Sequence, residues 1–209
     1  MESLEDFREE RVREYFRDRL PGVKTDGKVR DLLFLLLDEK PGALVMGVDR
    51  DTRKVLEDFS REFGLEMKVV EGGDRSLINR LLGRDKRFMK DSVFLARNRK
   101  RFRILEESDG RFCGFSDRAV GEFLGYPDSA IEYYVEKTEE EPAGMEVAEK
   151  VEEMIEEEEL DEDAEECLEM LSYLPRPEEE NIREAVEKGR GREKLWDRFS
   201  AILESDSDS

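Results

Sequence analysis

Two aspartates stand directly after the first strand that the sequence predicts, which covers residues 43–48. Asp49 and Asp51 would lie at the carboxyl edge of the sheet, where open α/β folds bind their ligands. Paired carboxylates supply the oxygen ligands that Mg²⁺ prefers, so these two residues are candidate metal ligands. Asp51 is equally suited to cap the helix that follows, and this structural interpretation stays open.

A pair of glycines, Gly72 and Gly73, follows the second predicted strand at the same edge. Glycines before a helix let backbone N–H groups approach a phosphate, so these two are candidate pocket residues. The surrounding sequence matches neither a dinucleotide-binding fingerprint nor a P-loop, because no Lys-Ser or Lys-Thr pair follows. The alternative interpretation is a simple turn.

Residues 84–103 form a basic segment that holds nine basic and two acidic residues. Its candidate anion-binding residues are Arg99, Arg101, Arg103, Lys86 and Arg87. In an extended segment the three arginines share one face at a spacing of about 6.6 Å. Such a row could bind an anionic ligand or RNA through phosphates, and it carries no aromatic residue for base stacking. It could instead pair with the chain's own acidic helices, or remain a solvated strand.

A stretch rich in glycine and aromatic residues covers residues 111–127. Gly125 can take a positive φ, and Pro127 disfavours helical geometry at Tyr126, so these residues predict the end of a helix and a turn. The functional interpretation is that the turn presents the Tyr126 hydroxyl to a pocket against a hairpin. Gly114 and Gly125 are the candidate pocket residues beside it.

The chain contains no histidine and only two cysteines, Cys113 and Cys167, which are far apart. These absences exclude catalysis by a histidine base and zinc sites built on histidine or several cysteines. Both cysteines are predicted to be reduced and buried. Because no complete catalytic motif is present either, the sequence favours a protein that is not an enzyme and needs no cofactor, with Mg²⁺ as the one alternative.

The composition is strongly acidic, with a formal net charge of −20 over 209 residues. Such a charge suits a salt-rich cytoplasm, because charges are screened within about 3 Å near 1 M salt. No long apolar run or signal-like start is present, so we predict a cytoplasmic, halophilic protein that does not enter a membrane. An ordinary acidic protein with a charged tail is the alternative.

Short apolar runs alternate with helical patterns in the first half of the chain. The predicted strands are 43–48, 65–70 and 92–96, with helices between them, and a leucine-rich run predicts a further helix at 29–37. This alternation predicts an α/β fold with a small, mostly parallel sheet. The predicted α/β core domain covers residues 1–137.

An antiparallel hairpin is predicted to extend this sheet. Asp109 and Gly110 lie between two runs of alternating apolar residues, 101–106 and 111–115. An Asp-Gly pair in that position is a strong hairpin signal.

An acidic helical module is predicted over residues 138–209, with a disordered tail at 205–209. Residues 139–169 hold 17 acidic residues and one basic residue, yet apolar residues recur there at helical spacing. The predicted apolar stripes are Ala148, Val151 and Ile155 in one helix and Ala164, Cys167, Leu168 and Leu171 in the next. A short helix is predicted at 181–188, with a break at 189–191.

One helical face near the C-terminus is strongly apolar. It consists of Leu195, Trp196, Phe199, Ile202 and Leu203. A face of this size is expected to be covered. Residues 192–203 are therefore predicted to dock on the chain itself, to bind a protein partner, or to form a homo-oligomer.

Two stretches resemble an archaeal family known only as domain of unknown function 483. They are residues 112–116 (FCGFS) with 121–127 (GEFLGYP), and residues 173–177 (YLPRP) with 181–185 (NIREA). The resemblance implies an archaeal, cytosolic protein. It implies no activity, cofactor or catalytic residue.

These patterns favour a non-catalytic binding or regulatory protein, whose ligand or partner contacts the 84–103 segment or the C-terminal helix. The first alternative is a Mg²⁺-dependent enzyme that acts on a phosphorylated small molecule at Asp49, Asp51 and the Gly72–Gly73 loop. The second is an RNA-binding protein or a homo-oligomeric assembly protein. The enzyme requires Asp49, Asp51, Gly72, Arg99 and Tyr126 to converge on one pocket.

Overall fold

The computed structural model describes Tyr15 and residues 26–71, 91–106, 115–137 and 144–205. Within these ranges, side chains are described for Tyr15 and for residues 30 to 197. The chain divides into two compact units, Met1–Gly125 and Tyr126–Ser209. The boundary predicted from the sequence was residue 137. Within the described ranges, no helix is both long enough and apolar enough to cross a bilayer.

Helix α1, Asp26–Leu36, is buried on all sides at its C-terminal half. Its five consecutive apolar residues, 32–36, are each at most 2% exposed. Leucine loses little side-chain freedom in a helix, which favours this structure over a strand of the same length. The helix predicted for the leucine-rich run at 29–37 is therefore confirmed.

The sheet contains strands β1, Gly42–Val48, β2, Glu66–Val70, and β3, Asp91–Ala96, in the order β1-β3-β2. Strand β3 pairs antiparallel with both neighbours. The prediction of a mostly parallel sheet is therefore wrong, although a mixed α/β unit is present. A buried strand shows the same apolar pattern in either direction, and only the connections decide which direction it takes. The helix predicted between β2 and β3 lies outside the described residues.

Helix α2, Arg50–Glu62, connects β1 to β2. Its N-cap is Asp49, whose Oδ1 accepts a hydrogen bond from the Thr52 backbone N–H at 2.8 Å. The helix buries Leu56 and Phe59 on one face. Because β1 and β2 both run antiparallel to β3, they point in the same direction and both end at the edge where β3 begins.

Residues 99–106 are helical. The prediction that residues 101–106 form the first strand of a hairpin is therefore wrong. A 3₁₀ helix, Arg99–Phe102, leads directly into helix α3, Arg103–Glu106. Asn98 caps the turn by accepting the Lys100 backbone N–H at 2.9 Å. Phe102 and Leu105 are both buried, and their spacing of three residues is that of one helix face. The alternation of apolar and polar residues in the same segment fits a strand equally well, so the sequence alone does not decide between the two. Residues 107–114, including the hairpin turn, Cys113 and Gly114, lie outside the described residues.

Helix α4, Asp117–Leu124, ends at the turn that the sequence predicts. The Ser116 hydroxyl accepts the Ala119 backbone N–H at 3.2 Å at the N-terminus. Gly125 closes the C-terminus with φ at +77°, a conformation that glycine adopts without steric cost. Phe123 packs edge-on against Phe94 of β3 and thereby anchors the helix to the sheet.

The second unit is helical. Its helices are α5, Asp128–Lys137, α6, Gly144–Glu156, α7, Ala164–Glu169, and α8, Glu179–Ser205. The stripe of α6 is displaced from the prediction, because Val147, Val151 and Met154 are buried while Ala148 is exposed. Cys167 of α7 is buried and is not in a disulfide.

Helix α8 continues through Gly189 and Gly191, so the predicted break at 189–191 is wrong. Glycine weakens a helix by about 1 kcal/mol relative to alanine, and tertiary contacts can override that amount. The helix also includes Ser205, the first residue of the predicted disordered tail, and residues 206–209 lie outside the described residues.

The net charge of the chain is concentrated in the second unit. The first unit holds 27 basic and 26 acidic residues, and the second holds 9 basic and 30 acidic residues. Their formal charges are therefore +1 and −21. The basic segment 84–103 thus belongs to a unit that is close to neutral.

Candidate anion-binding site

Arg97 follows β3 and caps the C-terminal end of helix α1. Its Nε donates to the Leu35 carbonyl oxygen at 3.0 Å, its Nη2 donates to the Leu36 carbonyl, and its Nη1 lies 2.7 Å from Asp38 Oδ2. The last carbonyls of a helix have no partner within the helix and carry partial negative charge. One guanidinium therefore satisfies a buried helix end and fixes the chain that leaves the sheet.

Arg101 performs the same task at the C-terminal end of helix α4. Its Nε donates to the Phe123 carbonyl oxygen at 3.2 Å, and its Nη2 donates to the Glu122 carbonyl. Burial lowers the pKa of Arg101 from its ordinary value, but a guanidinium stays charged at any physiological pH. This side chain is therefore directed inward and is not available to a ligand.

Arg99, Lys100 and Arg103 are the exposed cations of this segment, and they are called the basic turn below. Within the described residues, none of the three forms an ion pair. Arg103 is three residues from Lys100, which places these two side chains on one face of the turn. Arg99 directly precedes Lys100 and is exposed at the start of the turn.

The basic turn is held on a rigid support. It follows β3, the central strand, in which Val93, Phe94, Leu95 and Ala96 have no exposed surface. The helix caps made by Arg97 and Arg101 alternate with the exposed cations along the chain. Buried Phe102 lies between Arg101 and Arg103 and contacts the Phe123 ring at 5.3 Å. The positions of the exposed cations are thus determined by buried contacts on both sides.

The predicted row of Arg99, Arg101 and Arg103 is not one surface. Arg101 is turned inward by the helical geometry, and Lys100, which was not among the predicted residues, lies on the same face as Arg103 instead. In a 3₁₀ helix, residues three apart share a face, whereas in a strand residues two apart do, so Lys100 and not Arg101 shares the face of Arg103. Lys86 and Arg87 lie outside the described residues.

The two candidate metal ligands lie at the opposite end of the sheet from the basic turn. Val48 pairs with Asp91 at the start of β3, whereas Gly42 pairs with Ala96 at its end. Six strand residues separate the two ends, roughly 20 Å. Asp49 and Arg99 therefore do not converge on one pocket.

Asp49 has a structural role as the N-cap of α2, and Asp51 is exposed in the first turn of that helix. In the part of the chain that the structure describes, no group of three or more Asp, Glu or Cys side chains is arranged to hold a metal ion. Gly72 and Gly73 lie outside the described residues. The magnesium site at this edge therefore stays a prediction.

Tyr126 lies in the second unit, where its ring packs against Tyr173 with centroids 5.2 Å apart. The prediction that Tyr126 faces the hairpin is not tested, because the hairpin lies outside the described residues. A shallow cleft beside this pair encloses ≈ 10 Å³, room for about one water molecule. Its lining residues are Pro127, Ser129, Ala130, Tyr173, Pro175, Asn181, Glu184 and Ala185.

This cleft joins the two stretches that carry the family resemblance, since Pro127 belongs to one and Tyr173 and Pro175 to the other. Lys188 of α8 lies over the Tyr173 ring at 5.7 Å. Burial raises the pKa of the Tyr173 hydroxyl, and this group was not predicted as a site residue. The resemblance was the only signal in the sequence that pointed to Tyr173.

The acidic helices of the second unit pair with cations of that same unit. Arg190 contacts Asp161 at 2.9 Å and Asp163 at 2.8 Å, and Lys150 contacts Glu179 at 3.3 Å. The proposed pairing of these helices with Arg99 and Arg103 stays a prediction.

No family model, curated protein or solved structure matches the chain. The resemblance to the domain of unknown function 483 family therefore stays a prediction.

Proposed function

We propose that the protein is a non-catalytic binding protein that holds an RNA backbone on the basic turn. The observation that carries this proposal is the contrast within one short segment. Arg97 and Arg101 cap helices, whereas Arg99, Lys100 and Arg103 extend from the same turn and form no ion pair among the described residues. A chain with 56 acidic residues offers many partners, so cations that stay exposed on a rigid support suit an external anion.

The chemistry of the turn favours phosphates over bases. Arginine guanidinium groups bind phosphate oxygens through paired hydrogen bonds, and lysine adds a point charge. Phe102, the aromatic residue within the turn, is buried and cannot stack on a base. Binding should therefore depend on the RNA backbone and show little sequence preference.

The near-neutral charge of the first unit supports the same proposal. A strongly acidic surface around three cations would repel a polyanion. The first unit carries a formal charge of +1, so the positive surface of the turn is not cancelled by its own unit.

The proposal is tested by the anisotropy of a fluorescent oligouridylate titrated with the protein and with the variant R99S/K100S/R103S. The variant should bind at least about tenfold more weakly at low salt. Its log–log salt slope should be shallower by about two, since each phosphate contact on a single strand contributes about 0.7. The matched control is R50S/K54S, which removes two exposed cations near the opposite end of the sheet and should bind as the parent does.

Thermal melts of the same variants separate the proposal from self-pairing. Unchanged stability with weakened binding supports a ligand site. A parent that does not bind RNA, together with a lower melting temperature in the triple variant, would instead support pairing of the turn with the chain's own acidic helices. Equal binding by the parent and the triple variant would refute the proposal.

A second candidate function is homo-oligomeric assembly through residues 192–203 at high salt, where screening reduces the repulsion between two copies of the −21 unit. Leu195 and Trp196 of α8 are only half-buried, which leaves part of the predicted apolar face for a partner. Because Trp196 is the only tryptophan, a blue shift of its emission as the concentration rises would support assembly. Emission that is independent of concentration, together with sedimentation as a monomer, would refute it.

A further inference from the structure

Large exposed apolar side chains are concentrated in the acidic second unit. Among the described residues of that unit they are Tyr134 (53% exposed), Val135 (41%), Met145 (62%) and Leu174 (44%). The described part of the first unit contributes only Met46 (50%). Single exposed apolar residues are ordinary, whereas several that meet at one place mark a binding surface.

The four residues come from three segments that contact one another. Arg176 forms an ion pair with Glu136 at 3.0 Å, and Lys137 forms an ion pair with Glu146. Leu174 packs close to Gly144, since its Cδ1 atom lies 3.8 Å from the position that a Cβ on Gly144 would take. The end of α5, the start of α6 and the 173–177 segment therefore meet at one place. Met145 directly follows Gly144, which Leu174 approaches, and the surface formed by the exposed side chains of Met145 and Leu174 is called the apolar face below.

The hydrogen bonds around this place hold the segments in position. Glu146 accepts a hydrogen bond from the Tyr133 hydroxyl at 3.0 Å and also bonds to Lys137, so α5 and α6 are joined at their adjacent ends. Tyr133 is itself buried in the core of the unit. The apolar face thus lies over an ordered core.

The charge around the face selects the occupant. The second unit carries a formal charge of −21, and Lys137 and Arg176, two cations of the contacting segments, are already paired with its glutamates. A second copy in a symmetric dimer would bring two units of −21 together, which electrostatic repulsion opposes. A partner that offers apolar residues between lysines and arginines gains both apolar burial and charge attraction.

We propose that the apolar face binds a basic amphipathic helix of a partner protein. Apolar residues of that helix, at i, i+3, i+4 and i+7, contact Met145, Leu174 and their neighbours. Its lysines and arginines lie over the surrounding glutamates. This inference is independent of RNA binding by the first unit.

The test uses a helical peptide of leucine and lysine, with its leucines at the spacing given above, titrated by calorimetry into the full-length protein. The parent should bind the peptide, and the variant M145S/L174S should bind it at least about tenfold more weakly. The matched control is M46S, which removes a half-exposed methionine from the first unit and should leave binding unchanged.

A second peptide has the same composition, with its leucines and lysines in shuffled order. It distinguishes binding through an apolar helix face from binding through charge attraction alone. The shuffled peptide should bind at least about tenfold more weakly than the patterned one. Equal binding of the two peptides, or equal binding by the parent and M145S/L174S, would overturn the proposal. A parent that dimerises in sedimentation, with the dimer lost in M145S/L174S, would assign the face to a second copy and also overturn it.

Discussion

Gly189 of α8 lies against the main chain of Cys167 in α7, so that a Cβ at position 189 would stand 2.0 Å from the Cys167 carbonyl oxygen. Nothing in the sequence around residue 189 signals this approach. The two helices can pack at this distance only because residue 189 has no side chain. The glycine is therefore required by tertiary packing, and it does not end the helix.

Replacing Gly189 by alanine should destabilise the protein by at least about 2 kcal/mol, because backbone atoms must move to admit the methyl group. Gly191→Ala is the matched control. It lies two residues further along the same helix with nothing within 4 Å of its Cβ position, and should stabilise the protein by about 0.5–1 kcal/mol. Denaturant unfolding followed by Trp196 fluorescence measures both. A Gly189→Ala variant as stable as the parent would show that the packing is looser than described.

The two arginines Arg101 and Arg99 should differ in their effect on stability. Arg101→Met leaves the carbonyls of Glu122 and Phe123 without their guanidinium donor and should cost about 1–3 kcal/mol. Arg99→Met removes an exposed side chain and should change stability by no more than about 0.5 kcal/mol. Thermal or urea unfolding of the two variants measures the difference. Equal effects would contradict the helix-capping role of Arg101.

Salt should stabilise the second unit. Its formal charge of −21 produces repulsion that falls as the screening length shortens from about 10 Å at 0.1 M salt to about 3 Å at 1 M. Trp196 belongs to this unit, so the midpoint of its fluorescence melt should rise across that range of KCl. An equal osmolality of sucrose is the control, because it favours folding without screening charge. A midpoint that does not respond to KCl would count against salt adaptation.

Acid should weaken the junction between α5 and α6. Hydrogen bonds from Lys137 and Tyr133 hold the pKa of Glu146 below its ordinary value. A carboxylate with a lowered folded pKa contributes stability that is present above its unfolded pKa, near 4.3, and is lost as the pH falls through the folded pKa. The difference in unfolding free energy between the parent and Glu146→Gln should therefore be largest near neutral pH and shrink below about pH 4.

The matched control for this titration is Glu149→Gln. Glu149 is exposed on the same helix and forms no ion pair among the described residues. Its substitution should give no comparable change with pH. If Glu146→Gln and Glu149→Gln behave alike from neutral pH to pH 3, the contacts of Glu146 do not contribute to stability.

Several elements could be predicted from the sequence because neighbouring residues determine them. Leucine propensity places a helix at α1, and the Ser116 cap and Gly125 define the two ends of α4. The strand positions follow from short apolar runs, since each of these runs is enclosed by turn residues. Composition alone locates the acidic segment, and absence of histidine alone removes whole classes of catalytic site.

The direction of β3 and the roles of the arginines were decided by the tertiary structure. An apolar run is equally buried in a parallel or an antiparallel sheet, so the pattern contains no information on direction. Over residues 99–106 the apolar residues fit a period of two or three equally well, and burial of Phe102 against Phe123 favoured the helix. Arg97, Arg99 and Arg101 have similar neighbours along the chain. Arg97 and Arg101 cap helices because the packed ends of α1 and α4 lie next to them, whereas Arg99 caps no helix end among the described residues. The carbonyl groups that Arg97 and Arg101 bind belong to residues distant in the sequence, so the local sequence does not reveal these roles.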